Sequence, residues 1–247
     1  MKRILEYIET KKGELSQSAF LRFVSDSRVE PLARFGFVPC LAPFVMAFMD
    51  INKHILRDDS AREPLQKLLN TQSREEDSHW QMYLRDLKTL GANPSMDLTL
   101  ALKLLWSEEC KRTRRMSYEL TALFLGHEDP RLRLVLVEAI EGTADASFGL
   151  FTRAAFELEA ATGKRLHYFG RSHEFLEEKH TLGSDAARAL LEAVELSPEE
   201  FARAVQAVDK VFALFALMFE ELLEYALRAN PQAWPVPERR PDEALAA

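Results

Sequence analysis

The stretch HEFLEEKH, residues 173–180, carries two histidines and a glutamate at steps of four and three residues. On an α-helix with about 3.6 residues per turn, His173, Glu177 and His180 would form one stripe along the same side of the helix. Two imidazoles and a carboxylate make up a ligand set that suits non-haem iron, manganese or zinc. Because the chain contains only six histidines, a stripe with two of them predicts a metal site.

Most of the remaining sequence has a helical pattern as well. Glycine is scarce, with nine in 247 residues, and apolar residues recur at three- and four-residue steps rather than alternating. Among the helices that we expect are those over residues 43–57, 61–90, 97–125, 130–161, 171–182 and 198–229. The last of these has a continuous apolar face, which predicts that it lies in the core.

The sequence predicts an all-α fold class with seven or eight helices in a single domain, residues 1–230. No linker rich in proline, glycine or serine divides this part of the chain, and it contains no internal repeat. Residues 231–247 contain four prolines and end in small residues. We therefore expect a flexible C-terminal tail there.

Composition and charge exclude several classes of function. With 39 acidic and 32 basic residues the formal net charge is −7, which argues against nucleic-acid binding, and the basic run at residues 111–115 is interpreted as a solvated helix face. The apolar run at residues 37–49 contains two prolines and is too short to span a bilayer. The two cysteines, Cys40 and Cys110, show neither a disulfide framework nor metal spacing, so we expect a reduced, cytoplasmic location and no membrane partner.

Two further helices offer carboxylates and a third histidine. Glu75 and His79 are four residues apart and Glu76 and His79 three, so either pair could hold one ion. Glu138 and Glu141 interrupt an apolar helix, and Glu141 is preferred because it shares a face with apolar neighbours and would need a partner when buried. An ordinary solvated helix surface is the alternative interpretation of each group.

Together these residues resemble a known family. The strings FMDINKHILR at residues 48–57, EEDSHW at 75–80 and YFG at 168–170, followed by HEFLEEKH at 173–180, are similar to the haem-oxygenase-like superfamily. The resemblance is to its iron-containing redox or di-iron oxidase-like branch, whose fold is related to TenA and to the oxidase of PQQ synthesis. It covers roughly residues 35–225, and the histidine motif is its most specific part.

The resemblance implies a haem-oxygenase-like bundle of helices with a central pocket, often assembled as a homodimer. Its metal ligands, carried onto this sequence, are Glu75, His79, Glu141, His173, Glu177 and His180, with Glu76 as an alternative to Glu75. Gln72 departs from the family pattern, because the di-iron members have a glutamate there. One metal ion or two therefore remain open.

We accordingly expect a metal-dependent oxidase or oxygenase that uses dioxygen on a small-molecule substrate. Iron is the expected cofactor, as one or two ions, with manganese or no metal as alternatives. The competing hypothesis is a metal-free binding protein or cofactor-free enzyme of the same fold, in which His173, Glu177 and His180 form a hydrogen-bonded network. Haem binding and a purely structural interaction module fit the clustered carboxylates less well.

Overall fold

The protein is built from helices and connecting turns. The computed structural model describes residues 1–92, 97–177 and 179–229, with the backbone alone at Glu177. No β-strand occurs within these described residues, so the predicted all-α class is confirmed. They form eleven α-helices rather than seven or eight: α1 Lys2–Leu15, α2 Ala19–Ser25, α3 Ala42–Asp50, α4 Pro64–Glu76, α5 Trp80–Leu90, α6 Leu98–Leu105, α7 Lys111–Leu125, α8 Pro130–Thr162, α9 Arg171–Glu177, α10 Asp185–Glu192 and α11 Pro198–Arg228. The predicted tail, residues 231–247, lies outside the described residues.

Helix α8, with 33 residues, occupies the centre of the bundle and packs against α1, α2, α4 and α11. It begins where the sequence predicts, because the side chain of Asp129 accepts a hydrogen bond from the backbone of Arg131 and Pro130 fits the first helical position. It ends at Gly163, whose φ of 73° is in the left-handed region that favours glycine.

Helix α11 supplies much of the core, as its apolar face predicts. Ser197 and Glu200 form a reciprocal capping box at its start. Phe212, Phe215 and Phe219 are buried along one face, where each contributes on the order of 1.5–3 kcal/mol by leaving water. Helix α11 packs against α1, α2, α7 and α8.

Two of the long predicted helices are each divided in two, and the first division lies between α4 and α5. The guanidinium of Arg57 donates to the hydroxyl and the carbonyl of Ser73, at 2.9 and 2.8 Å, and also bonds Asp77. In a continuous helix the carbonyl of Ser73 would accept from the N–H of Asp77. Arg57 competes for that carbonyl, and the chain turns before α5 begins.

The second division separates α6 from α7 and depends on a side chain from α11. The buried carboxylate of Glu221 accepts the backbone N–H of Arg112, at 2.6 Å, and that of Thr113, at 2.8 Å. These are N–H groups of the first turn of α7, which have no partner within their own helix. A helix start capped from a distant part of the chain leaves no local signal in the sequence.

Both cysteines are buried beside this cap. Cys40 Sγ lies 3.2 Å from the carbonyl oxygen of Glu109 and 3.8 Å from a carboxylate oxygen of Glu221. Neither Cys40 nor Cys110 is in a disulfide. Two reduced thiols therefore lie where α7 and α11 meet.

The segment Ala33–Leu56 contains two short 3₁₀ turns, α3 and a π-helical continuation, Ile51–Leu56. With 24 residues it is long and apolar enough to cross a membrane by length and composition alone. Our expectation from the sequence rested only on the shorter run at residues 37–49, which is too short to do so. In the fold, 61% of its most apolar window is buried against other helices, and a core helix of a globular protein meets the same criterion.

Candidate metal site

The turn between α4 and α5 carries two of the residues that could bind a metal. Glu76 is the last residue of α4 and His79 directly precedes α5. Both side chains are buried, and a carboxylate oxygen of Glu76 lies 3.1 Å from Nδ1 of His79. The break in the predicted helix thus turns both side chains towards the interior of the bundle.

His180 approaches the same carboxylate from the opposite side. Its Nδ1 lies 3.0 Å from the second carboxylate oxygen of Glu76. Helix α9 ends at Glu177, so His180 stands on an extended backbone just before the 3₁₀ turn Thr181–Gly183, and it does not share a helix with His173 as the spacing predicted.

Glu75 gives the physical reason for that early end of α9. Its carboxylate accepts the backbone N–H of Thr181, at 3.0 Å, and the hydroxyl of the same residue, at 2.7 Å. These bonds fix the chain directly after His180 in a non-helical conformation. Glu75, predicted as a metal ligand, is therefore not part of the group of donor atoms. It orients the loop that carries His180.

Glu76, His79 and His180 together form a compact group of donors. Each offers one oxygen or nitrogen atom, and these atoms all lie within 4.8 Å of one another. The imidazole rings of His79 and His180 are stacked, with centroids 5.3 Å apart and planes 12° from parallel. Two histidines and one carboxylate match a donor set that leaves further coordination positions open on a metal ion.

His173 lies behind His79 with its ring orientation fixed. Its Nδ1 is 3.1 Å from the carbonyl oxygen of Tyr168, and because a carbonyl only accepts, this nitrogen carries the proton. Its Nε2 lies 2.9 Å from Nδ1 of His79. The ring is stacked on Tyr168, at 4.7 Å between centroids, and meets the edge of Phe148 at 4.4 Å. Such a bond from one ring nitrogen to a carbonyl is typical of histidines that bind metal through the other.

The loop that holds Tyr168 is anchored by a buried aspartate from α5. The carboxylate of Asp86 accepts three consecutive backbone N–H groups, those of His167 at 2.6 Å, Tyr168 at 2.8 Å and Phe169 at 3.0 Å. Burial raises the pKa of Asp86, and the three N–H groups act against that rise. This anchor fixes the carbonyl that orients His173.

Gln72 connects the cluster to α8. Its Nε2 donates to Glu141, at 2.9 Å, and to Glu76, at 3.3 Å. The side chain is 1% exposed, and within the part of the chain that the structure describes its Oε1 has no hydrogen-bond donor. If the amide were flipped, its oxygen would point at the two carboxylates, where it could not donate. These acceptors therefore determine its orientation.

The structure thus groups some of the predicted site residues and separates others. Glu76, His79, His173 and His180 lie together, while Glu141 touches the group through Gln72. The side chain of Glu177 lies outside the described residues. Asp50 and His54 lie on the surface, where each side chain is 64% exposed and Oδ1 of Asp50 is 4.0 Å from Nε2 of His54.

Two cavities adjoin the cluster. The first, of about 80 Å³, is lined mainly by aromatic and aliphatic side chains together with Glu76, His79 and His173. Trp80, Phe148 and Tyr168 are among the aromatic residues that line it, whereas the buried Tyr83 donates its hydroxyl proton to the carbonyl of Val38. The second, of about 610 Å³, is a polar cleft lined by residues that include Gln72, Glu138, Glu141 and His180.

The fold and this cluster define a class, an all-helical protein with a candidate histidine–carboxylate metal site. No protein-family model matches the chain, and no curated protein matches it.

Proposed function

We propose that the protein is a metal-dependent oxidase or oxygenase whose single ion, most suitably iron, is held by Glu76, His79 and His180. The observation that carries the proposal is the convergence of these three donor atoms within 4.8 Å in the interior of the bundle. Relative to the ligands expected from the sequence, Glu76 replaces Glu75. His173 is a third histidine within reach of the site and would be its fourth donor.

The donor set fits such an ion on chemical grounds. A buried carboxylate between two imidazoles is stabilised by a cation, and two histidines with one carboxylate and open positions are typical of non-haem iron(II) proteins. When bound, the ion would supply one-electron chemistry with dioxygen. Gln72, which donates to Glu76, and Glu75, which fixes the loop after His180, would hold the ligands in place.

The surroundings support oxidation chemistry. The 80 Å³ cavity next to His79 and His173 has an apolar lining, which suits an apolar diatomic molecule such as dioxygen and disfavours bulk water. Tyr168 and Phe148 pack against the imidazole of His173 and hold it in one orientation. These residues would shield the reacting atoms from solvent.

A haem-oxygenase-like bundle is part of the proposal. It is supported by the helical architecture and by donors that come from the α4–α5 turn and the segment around α9, with Glu141 on α8 adjoining them, as the resemblance of the sequence implies. Homodimer formation and a cytoplasmic location remain predictions.

Metal analysis of variants tests the proposal. Protein from iron-supplemented cells is expected to contain about one iron per chain, and anaerobic loading with ferrous ion followed by oxygen should change its absorption spectrum. His79→Ala and His180→Ala should lose most of the metal, whereas His54→Ala, on the exposed surface, should retain it. Circular dichroism checks that each variant is folded. Wild-type protein without metal after ferrous loading, or metal that persists in both site variants, would contradict the proposal.

A metal-free network is the second candidate, and one distance favours it. At 2.9 Å, Nδ1 of His79 can donate its proton to Nε2 of His173, which pairs these two nitrogens without an ion. In that case iron, manganese and zinc should leave the melting temperature unchanged. A metal-dependent rise that is absent in Glu76→Gln would exclude this candidate.

A further inference from the structure

The sizes of the two cavities decide which of them can hold an organic substrate. At about 10–15 Å³ for each water-sized molecule, the apolar cavity has room for roughly five to eight of them, which is too small for most metabolites. The cleft of about 610 Å³ falls within the range of roughly 300–1,000 Å³ that is common for ligand sites. His180 and Glu141 lie on its wall, so a molecule in the cleft would reach the proposed metal site.

The charge of the cleft is strongly one-sided. Among the described residues, six acidic side chains and a single arginine line it, the acidic ones being Glu9, Glu138, Glu141, Asp145, Glu174 and Asp185. Glu9 and Asp145 are paired with Lys12, at 2.7 and 3.5 Å. Arg188 is engaged by Glu192, at 2.9 Å. An anion would be repelled here, and a cation would be attracted.

Three of these carboxylates lack a hydrogen bond or an ion pair within the described residues, namely those of Glu138, Glu174 and Asp185. Burial raises the pKa of Glu138 to about 7, and the charge of Arg188, which is paired with Glu192, opposes that rise only in part. A cation in the cleft would supply further compensating charge.

Gln72 is an independent observation that points to a hydrogen-bond donor in the ligand. It lines the same cleft, is almost fully buried, and its Oε1 has no donor within the described residues. The two carboxylates that bond its Nε2 fix this orientation. A buried amide oxygen without a donor is destabilising, so a ligand N–H at this position would be stabilising.

We propose that the acidic cleft binds the substrate and that this substrate is a small organic cation, with a primary ammonium or guanidinium group directed at Gln72, Glu138 and Glu174. That the bound cation is a substrate rests on the proposed function. The cation site itself is independent of the metal. Leu5 and Ile8, which also line the cleft, would contact the carbon chain of the cation.

Calorimetric titration with probes of matched length tests the charge of the ligand. Cadaverine and agmatine are the cations, pentanediol is the neutral probe and glutarate is the anion. Near neutral pH we expect at least one cation to bind about tenfold more tightly than pentanediol. Glutarate should not bind to chelator-treated protein. Glu138→Gln and Glu174→Gln should each weaken binding of the cation by about tenfold. Glu220→Gln, an exposed carboxylate on α11, should leave it unchanged.

The outcomes separate this inference from the proposed function. If neither cation binds, if pentanediol binds equally well, or if both cleft variants bind like the wild type, the cation site is wrong even when iron is present. If cadaverine or agmatine binds in a manner that depends on Glu138 and Glu174 but the protein retains no metal, the oxidase proposal fails and the cation site stands.

Discussion

Glu138 shows how strongly its surroundings alter a single side chain. Its carboxyl group is mostly buried on α8, and burial raises its pKa from 4.5 to about 7. Arg188 opposes the rise, whereas the negative charges of Asp145 and Glu9 add to it. The folded protein therefore holds this proton more tightly than the unfolded chain does.

The sign of the resulting pH dependence follows directly. Because the folded-state pKa is raised, ionisation of Glu138 costs stability as pH rises from about 4.5 through about 7, and the cost is complete above that range. Glu138→Gln lacks this cost. We expect urea unfolding to show that the free energy of unfolding of the variant, relative to that of the wild type, rises by about 1–3 kcal/mol between mildly acidic and mildly alkaline buffer. A difference between the two proteins that is independent of pH would contradict the shift.

For the candidate site, the sequence indicated the types of residue more reliably than it indicated the individual residues. His79, His173 and His180 were identified because histidine is rare and these lie on helical patterns. The choice between Glu75 and Glu76 depends on where α4 ends, and that is set by Arg57 from a different segment. No local pattern contains this information.

At the level of elements, local capping signals were reliable and internal breaks were not. The start of α8 at Asp129, its end at Gly163 and the capping box at Ser197 all follow from neighbouring residues. The divisions between α4 and α5 and between α6 and α7, and the early end of α9, depend on long-range hydrogen bonds. Those bonds form only in the assembled bundle, so the periodic pattern of the sequence does not predict the breaks that they cause.

The segment between α8 and α9 depends on one acceptor from α5. In Asp86→Asn one of the two carboxylate oxygens becomes an amide that cannot accept, so at least one of three buried N–H groups loses its partner. We expect a loss of about 2–4 kcal/mol in the free energy of unfolding. Asp59→Asn, the same change at an exposed position, should cost less than about 1 kcal/mol. Equal losses in denaturant titrations of the two variants would show that Asp86 is not an anchor.

For the molecule as a whole, stability depends on how closely α1, α8 and α11 approach one another. Gly142 on α8 lies at this junction, and a Cβ there would come within 2.9 Å of Cγ2 of Ile8 and 3.4 Å of the ring of Phe212. Isoleucine is branched at Cβ and has little rotational freedom to move aside. The glycine thus allows three helices to share one contact.

A pair of glycine substitutions on α8 tests this packing. Gly149 has open space where a Cβ would be added, so Gly149→Ala should gain about 0.5–1 kcal/mol from helix propensity. Gly142→Ala has the same propensity gain but overpacks the junction. We expect the two variants to differ by about 1–3 kcal/mol in thermal or urea unfolding, with Gly142→Ala the less stable. Equal stability would mean that the junction yields easily.

The reactivity of the buried thiols beside Glu221 can be used to measure how often this part of the protein opens. Cys40 and Cys110 have no contact with solvent, so a disulfide reagent can modify them only during excursions that part α7 from α11. The labelling rate, followed at increasing urea concentration, would distinguish transient local opening from global unfolding. Because both thiols lie at a single junction, both should become reactive together.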